Sequence, residues 1–133
     1  MSKLVSLSEA ASIGIHSMVL IARSEEKIIN VNRIAELTGA SRHHIAKILQ
    51  RLVKDKYLDS NRGPGGGFIL NKEPSEINLL DIYECIEGQV EINECPLDRR
   101  ICPFDKCITG NILNKITGEL KSYLQKQTLD KYL

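Results

Sequence analysis

Three thiols crowd into one short stretch of the chain, CPLDRRICPFDKC, which runs from residue 95 to residue 107. The 133-residue sequence contains four cysteines, and Cys95, Cys102 and Cys107 are three of them. A proline directly follows Cys95 and another follows Cys102, which stiffens the loop and presents the sulfurs in a defined geometry. Clustered thiols of this kind bind a metal ion, hold an iron-sulfur cluster or act as a redox switch.

Spacing alone leaves these three interpretations open. A structural zinc site usually takes its nitrogen or sulfur ligands in closely spaced pairs, and here only Cys102 and Cys107 are so spaced. An iron-sulfur cluster tolerates irregular spacing and can accept a further ligand from elsewhere in the protein. A thiol switch requires no metal. The fourth cysteine, Cys85, falls on the apolar stripe of a predicted helix and is interpreted as a small buried hydrophobic residue.

Composition limits the kind of protein that carries this loop. With 42% hydrophobic and 26% charged residues, the chain has the size of one globular domain and enough apolar residues for a core. No apolar stretch is long enough to span a membrane, and polar residues interrupt any signal-peptide core near the N-terminus. We therefore expect a cytoplasmic protein with no membrane partner, whose thiols stay reduced and favour metal or redox chemistry over disulfides.

The charge is unevenly distributed, although the formal net charge is only +1. Residues 1–70 contain ten Lys and Arg against six Asp and Glu, whereas residues 71–133 contain eight against eleven. A basic first half is compatible with nucleic-acid binding. Ordinary variation of surface charge would give the same difference, so this feature needs support from the motifs.

The elements that position these residues are predicted to be mainly helical. An N-cap serine and helical periodicity predict a first helix over about residues 8–24. Asn30 or Asn32 can cap a short second helix that ends at Gly39, and Ser41 can cap a third. Two helices joined by a short turn that contains glycine form a helix-turn-helix.

The third helix, which runs to about Lys54, has two different faces. Apolar residues at helical spacing form one stripe that is predicted to be buried: Ile45, Ile48, Leu49, Leu52 and Val53. The opposite face is polar and net positive, as phosphate attraction and base contacts in a DNA major groove require. An ordinary solvated face is the alternative. The candidate DNA-binding residues here are Ser41, Arg42, His43, Lys47, Gln50 and Arg51.

A glycine-rich stretch, LDSNRGPGGGFIL, follows the third helix and is predicted to form a β-hairpin. A hairpin in this position is the wing of a winged helix, whose arginine can reach a minor groove while phosphates approach the bare glycine backbone. Arg62, Gly63 and Gly65 are therefore candidate DNA-binding residues. A nucleotide-phosphate loop is disfavoured because no Gly-Lys-Ser/Thr follows the glycines.

Two further helices are predicted. Asn78 can cap a fourth, and residues 108–127 form a long amphipathic helix with too little chain left to cover it, so a second subunit is its expected cover. Its apolar stripe is Ile108, Ile112, Ile116, Leu120 and Leu124. The predicted fold is mainly α with a small β-hairpin. It is divided into a winged helix-turn-helix region (1–74), a connecting helix with the cysteine loop (75–107) and a dimerisation helix with a C-terminal tail (108–133).

The helix-turn-helix, the run LDSNRGPGGGFIL and the sequence DKCIT at residues 105–109 resemble the winged helix-turn-helix iron-sulfur transcription regulators typified by IscR and NsrR. The resemblance covers nearly the whole chain. It implies a homodimer that binds palindromic operators in double-stranded DNA and carries an iron-sulfur cluster, 2Fe-2S or 4Fe-4S, on Cys95, Cys102 and Cys107. It also implies a repressor whose operator affinity responds to nitric oxide, redox or iron-sulfur status.

The fourth ligand departs from the IscR pattern. IscR-like members place a histidine three residues beyond the last cysteine, where this chain has Gly110. NsrR-like members instead use a carboxylate from the partner subunit's first helix, and alignment of LVSLSEAA gives Glu9 that position. A glutamate oxygen can bind iron, and an acid that complements the helix dipole is the alternative. A zinc-bearing regulator, a metal-free thiol switch and a small electron carrier remain alternatives; no paired nucleophile and base predict an enzyme.

Overall fold

The computed structural model describes residues 2–25, 28–92 and 102–133. The predicted fold class is confirmed: within these residues the chain is mainly helical and has one small antiparallel sheet. The elements are α1 (Glu9–Arg23), α2 (Val31–Thr38), α3 (Arg42–Lys54), β1 (Leu58–Asn61), β2 (Gly67–Leu70), α4 (Leu79–Glu87) and α5 (Ile112–Lys126), with short 3₁₀ turns at Pro74–Glu76 and Leu129–Tyr132.

Side-chain caps set the beginnings of the first four helices. Ser8, Asn30, Ser41 and Asn78 each accept a hydrogen bond from the backbone N–H three residues further on. Of the two asparagines considered for α2, Asn30 is the cap. Gly39 ends α2 in the left-handed conformation at φ 75°, which costs glycine little because it has no Cβ. These local signals confirm the predicted helix-turn-helix.

The core lies where α1, α3 and α4 meet, and the apolar stripe of α3 forms its centre. Ile45, Leu49 and Leu52 have no exposed surface, and burial of each such side chain contributes about 1.5–3 kcal/mol. Gly14 of α1 permits close packing, because a Cβ there would collide with the side chain of Ile86 in α4. The polar side of α3 is thereby turned to solvent.

The hairpin pairs β1 with β2 in antiparallel register, from Leu58 opposite Leu70 to Asn61 opposite Gly67. Ile29, before α2, adds a single-residue bridge to Phe68, with backbone N···O distances of 3.2 and 2.8 Å. This bridge was not predicted from the sequence. Its consequence is that the hairpin is fixed to the start of the helix-turn-helix.

The last helix begins later than predicted. Gly110 and Asn111 are both left-handed, at φ 61° and 59°, so the chain turns before α5 begins at Ile112. The prediction that Ile108 belongs to the helical stripe is therefore wrong: Ile108 lies in the preceding turn and is 68% exposed. After α5 the chain returns to the core, where Leu129 is fully buried and its N–H donates to the Ile77 carbonyl at 2.9 Å.

Across the three described stretches, no helix has both the length and the apolar character needed to cross a membrane.

Candidate DNA interface and thiol site

The residues of α3 and its N-cap chosen as candidate DNA contacts are all exposed, and His43, Lys47, Gln50 and Arg51 lie on the side of α3 opposite the apolar stripe. The structure places Ser41, Arg42, His43, Lys47, Gln50 and Arg51 in solvent, while the apolar stripe faces the core. Val53, at the end of that stripe, is half-buried. The Ser41 hydroxyl already accepts a hydrogen bond from the His44 N–H at 3.4 Å, as the N-cap of α3. The face has the polar groups and positive charge that contacts with phosphates and base edges need.

Arg42 is held in place from the neighbouring helix. Its guanidinium donates to Oδ1 of Asn32 in α2 at 3.0 Å, so the cation lies at the junction of the two helices. From the sequence, Asn32 was a candidate only for a helix cap, and this contact was not predicted. Its position in the first turn of α2, ten residues before Arg42, gives no periodic signal that would have identified it.

The other three candidate DNA contacts lie at the tip of the hairpin. Arg62, Gly63 and Gly65 are all exposed. Gly63 has φ 98°, a conformation that favours glycine, and its carbonyl accepts the Gly66 N–H at 2.9 Å to close the turn. Gly67 has a different role, because a Cβ there would lie 2.5 Å from the Ile29 carbonyl oxygen. The tip thus combines an exposed arginine side chain with unshielded backbone.

Cys107 lies in the turn that leads into α5 and is exposed. Its sulfur is 3.2 Å from Thr109 Oγ1 and accepts the Asn111 N–H at 3.4 Å. The hydrogen bond with Thr109 and then the backbone N–H of Asn111 hold the pKa of the Cys107 thiol below its ordinary value, because both stabilise the thiolate. A thiolate is the form that binds iron or attacks an oxidant.

The rest of the predicted ligand set is only partly described. Cys102 is half-buried, and Cys95 lies outside the described residues. In the parts of the chain that the structure describes, no three His, Cys, Asp or Glu side chains are grouped as a metal site. The donor chemistry of Cys102 and Cys107 nevertheless suits iron, which binds thiolates in iron-sulfur proteins.

Glu9 occupies the first turn of α1 and is exposed. Among the described residues, the structure shows no hydrogen bond or ion pair of its carboxylate, and an acid at this position complements the helix dipole. The preceding residue, Ser8, donates its hydroxyl to Glu87 Oε1 at 2.5 Å. This contact joins the start of α1 to the end of α4, which is where the chain turns toward the thiol loop.

Cys85 differs from the loop cysteines in its chemistry. It is half-buried in α4, and its Sγ donates to the Arg51 carbonyl in the last turn of α3 at 3.6 Å. Burial raises the pKa of the Cys85 thiol to about 12, and the adjacent Asp55 carboxylate adds to the shift. The thiol therefore stays protonated and packs against the core, which agrees with its interpretation as a small hydrophobic residue.

The chain resembles known regulators over nearly its whole length. The Rrf2 family, described as an iron-dependent transcriptional regulator, matches residues 7–133. The HTH-type transcriptional regulator NsrR of Bacillus subtilis is 31% identical over 112 residues, which cover 83% of this chain and 77% of that protein. The HTH-type transcriptional regulator IscR of Pectobacterium atrosepticum is 27% identical over 81% of this chain, but the match spans only 66% of that protein.

Solved structures support the same fold. CymR (YrzC), the global cysteine regulator of B. subtilis, has a TM-score of 0.78 at 23% identity and covers 96% of this chain and 95% of its own. The IscR of T. potens has a TM-score of 0.75 at 26% identity and covers 96% of this chain and 85% of its own. The named relatives are transcriptional regulators and not enzymes, as the sequence predicted. With the winged helix-turn-helix and the thiol-bearing turn in place, the chain belongs to the Rrf2 family of DNA-binding transcriptional regulators.

Proposed function

We propose that this protein is a cytoplasmic homodimeric repressor whose affinity for a palindromic operator is controlled by an iron-sulfur cluster. The cluster, 2Fe-2S or 4Fe-4S, binds Cys95, Cys102 and Cys107, with Glu9 of the partner subunit as fourth ligand. Its loss on exposure to nitric oxide, oxidants or iron shortage releases the operator. The single observation that carries the proposal is the environment of the Cys107 sulfur. This sulfur is exposed in the turn that leads into α5, and its hydrogen bonds with Thr109 Oγ1 and the Asn111 N–H stabilise the thiolate form.

DNA recognition is assigned to α3 and the hairpin. The exposed face of α3 enters the major groove, while Arg62 at the hairpin tip reaches the adjacent minor groove. Arg42, fixed by Asn32, is a contact to phosphate or to a base edge. Two such units read two half-sites whose spacing is set by the dimer.

The dimer contact is assigned to α5. Ile112, Leu120 and Tyr123 lie on one side of this helix and are 47%, 38% and 56% exposed. A row of large apolar side chains on one helical face is typical of a surface that another chain covers. The same helix begins just after Cys107, so the thiol site and the dimer contact share one element.

α4 and α1 carry the state of the thiol loop to the DNA-reading face. α4 contacts α3 through Cys85 and the Arg51 carbonyl, and α1 meets the end of α4 through Ser8 and Glu87. When bound, the cluster supplies iron-sulfur bonds that nitric oxide or oxidants can break. A coupling of about 1–3 kcal/mol between the two sites changes operator affinity roughly 5- to 150-fold.

The deciding experiment begins with anaerobic purification from iron-replete cells, followed by an absorption spectrum and assays for iron, acid-labile sulfide and zinc. A gel shift with the native promoter then compares the protein with and without its cluster. We expect a coloured protein that contains sulfide and binds the operator more tightly than the stripped form. Colourless protein without sulfide, or equal affinity of the two forms, contradicts the proposal.

Three substitutions separate the parts of this proposal. Arg62→Ala weakens operator binding and leaves the spectrum intact, because it removes only a DNA contact. Cys102→Ala removes the spectrum while the fold persists, since Cys102 contributes no buried core side chain.

Glu9→Ala tests the fourth ligand: a cluster that persists with unchanged sensitivity to nitric oxide excludes the carboxylate.

A metal-free thiol switch is the second candidate, and the exposed Cys107 favours it directly. A thiol with a lowered pKa is the kind that oxidises first. This alternative requires colourless protein whose operator affinity changes with peroxide and is restored by a reducing thiol. Retention of that response in Cys107→Ser would exclude Cys107 as the switch.

A further inference from the structure

Val90, which lies between α4 and the thiol loop, has both of its backbone polar groups bound by charged side chains. Its N–H donates to Glu84 Oε2 at 2.7 Å, and its carbonyl accepts from Lys121 Nζ at 3.2 Å. All three residues are half-buried. We name this pair of hydrogen bonds the Val90 clamp.

The two charged residues of the clamp come from different helices. Glu84 belongs to α4, which precedes the thiol loop, and Lys121 belongs to α5, which follows it. Hydrogen bonds to ionised groups are stronger than those between neutral groups, and partial burial protects them from water. The clamp therefore fixes the residue before the loop to both helices that flank the loop.

A second contact fixes the same segment. Ile92 packs against α5 at Gly118, where a Cβ would lie 3.5 Å from Ile92 Cδ1. Gly88, at φ 97°, turns the chain from the end of α4 into this position. These contacts fix residues 88–92 beside α4 and α5, so the backbone that leads toward the thiols starts from a defined position.

We propose that Glu84 and Lys121 are positioning residues that hold the start of the thiol loop and so preserve the geometry in which Cys102 and Cys107 bind iron. This inference rests on the proposed function for its effect on the cluster. The helix that carries Glu84 is itself joined to α3, because the neighbouring Cys85 donates to the Arg51 carbonyl. Neither Glu84 nor Lys121 touches the cluster; each acts through the backbone of Val90.

The test uses the anaerobically purified protein and follows the loss of its visible absorption when a strong ferrous chelator is added. We expect Glu84→Ala and Lys121→Met to speed this loss roughly tenfold, the effect of losing one hydrogen bond to a charged group. Glu84→Gln keeps an oxygen acceptor for the Val90 N–H and is expected to lose iron at nearly the wild-type rate. The matched controls are Glu25→Ala and Lys54→Met, exposed positions outside α5 that leave both the clamp and the proposed dimer contact intact.

Amide hydrogen exchange at Val90 in metal-free protein tests the clamp independently of any cluster. Glu84→Ala should make this amide exchange faster, with the unfolding midpoint close to wild type and Glu84→Gln restoring protection. Colourless wild-type protein would end the proposed function and with it the effect on iron, while exchange at Val90 would still report whether the clamp forms in solution. Unchanged exchange in Glu84→Ala, or faster exchange without faster iron loss, overturns the positioning role.

Discussion

The DNA-reading part of the molecule and the part that carries the thiols differ in how they are stabilised. Residues 2–92 supply nearly all of the buried apolar side chains in the described structure, whereas residues 102–133 supply Leu124 and Leu129. Both parts expose large apolar side chains, but these are denser in the second part, where they include Ile112 and Leu120. The reading part thus buries most of its apolar side chains within one chain, while the thiol-bearing part leaves a larger share of them in solvent.

The largest effect is expected from a cavity in the reading part. Leu49→Ala removes a fully buried side chain from the centre of α3 and should lower the free energy of unfolding by about 2–5 kcal/mol. The difference from wild type, measured by urea denaturation, should be the same at all protein concentrations. Leu37→Ala is the control, because it removes the same atoms from a side chain that is 49% exposed. An equal loss in the two variants would mean that α3 is not the centre of the core.

The next effect tests the thiol-bearing part. Leu120→Glu places a carboxylate on the exposed apolar side of α5 and should weaken the dimer about 100-fold or more, because burying an unpaired charge costs several kcal/mol. Sedimentation velocity across a dilution series measures the change. Ser122→Glu introduces the same residue about 200° further around the helix, at an exposed position, and should leave the dimer intact. A dimer that survives Leu120→Glu would place the subunit contact elsewhere.

The same contrast explains what the sequence could and could not predict. Caps and stripes are local, so Ser41 as a cap and the buried face of α3 followed from the residues themselves. The bridge between Ile29 and Phe68 and the return of Leu129 to Ile77 join distant segments, and no periodic pattern encodes such pairs. The start of α5 was predicted too early because apolar spacing continues through Gly110 and Asn111 while the backbone there is left-handed.

The candidate sites show the same difference between local patterns, which the sequence predicts, and contacts between distant segments, which it does not. The polar face of α3 could be predicted because helical periodicity separates it from the stripe. The contacts that position each site could not be predicted. Asn32 reaches Arg42 from another helix, and Val90 is held through its backbone groups, which have no sequence signature. Residue type therefore identifies the groups that could do chemistry, and tertiary contacts determine how firmly they are held.

The smallest expected effect distinguishes the two sides of α5. Gly118 lies about 200° around the helix from Leu120, and a Cβ added there would lie at an ordinary contact distance of 3.5 Å from Ile92 Cδ1 of its own chain. Gly118→Ala should therefore stabilise α5 by up to about 1 kcal/mol, since glycine is a poor helix former, and raise the melting temperature without changing the dimer. If the dimer weakens instead, the partner approaches α5 at Gly118. The dimer contact would then include the Gly118 side of α5 as well as the apolar side that contains Leu120.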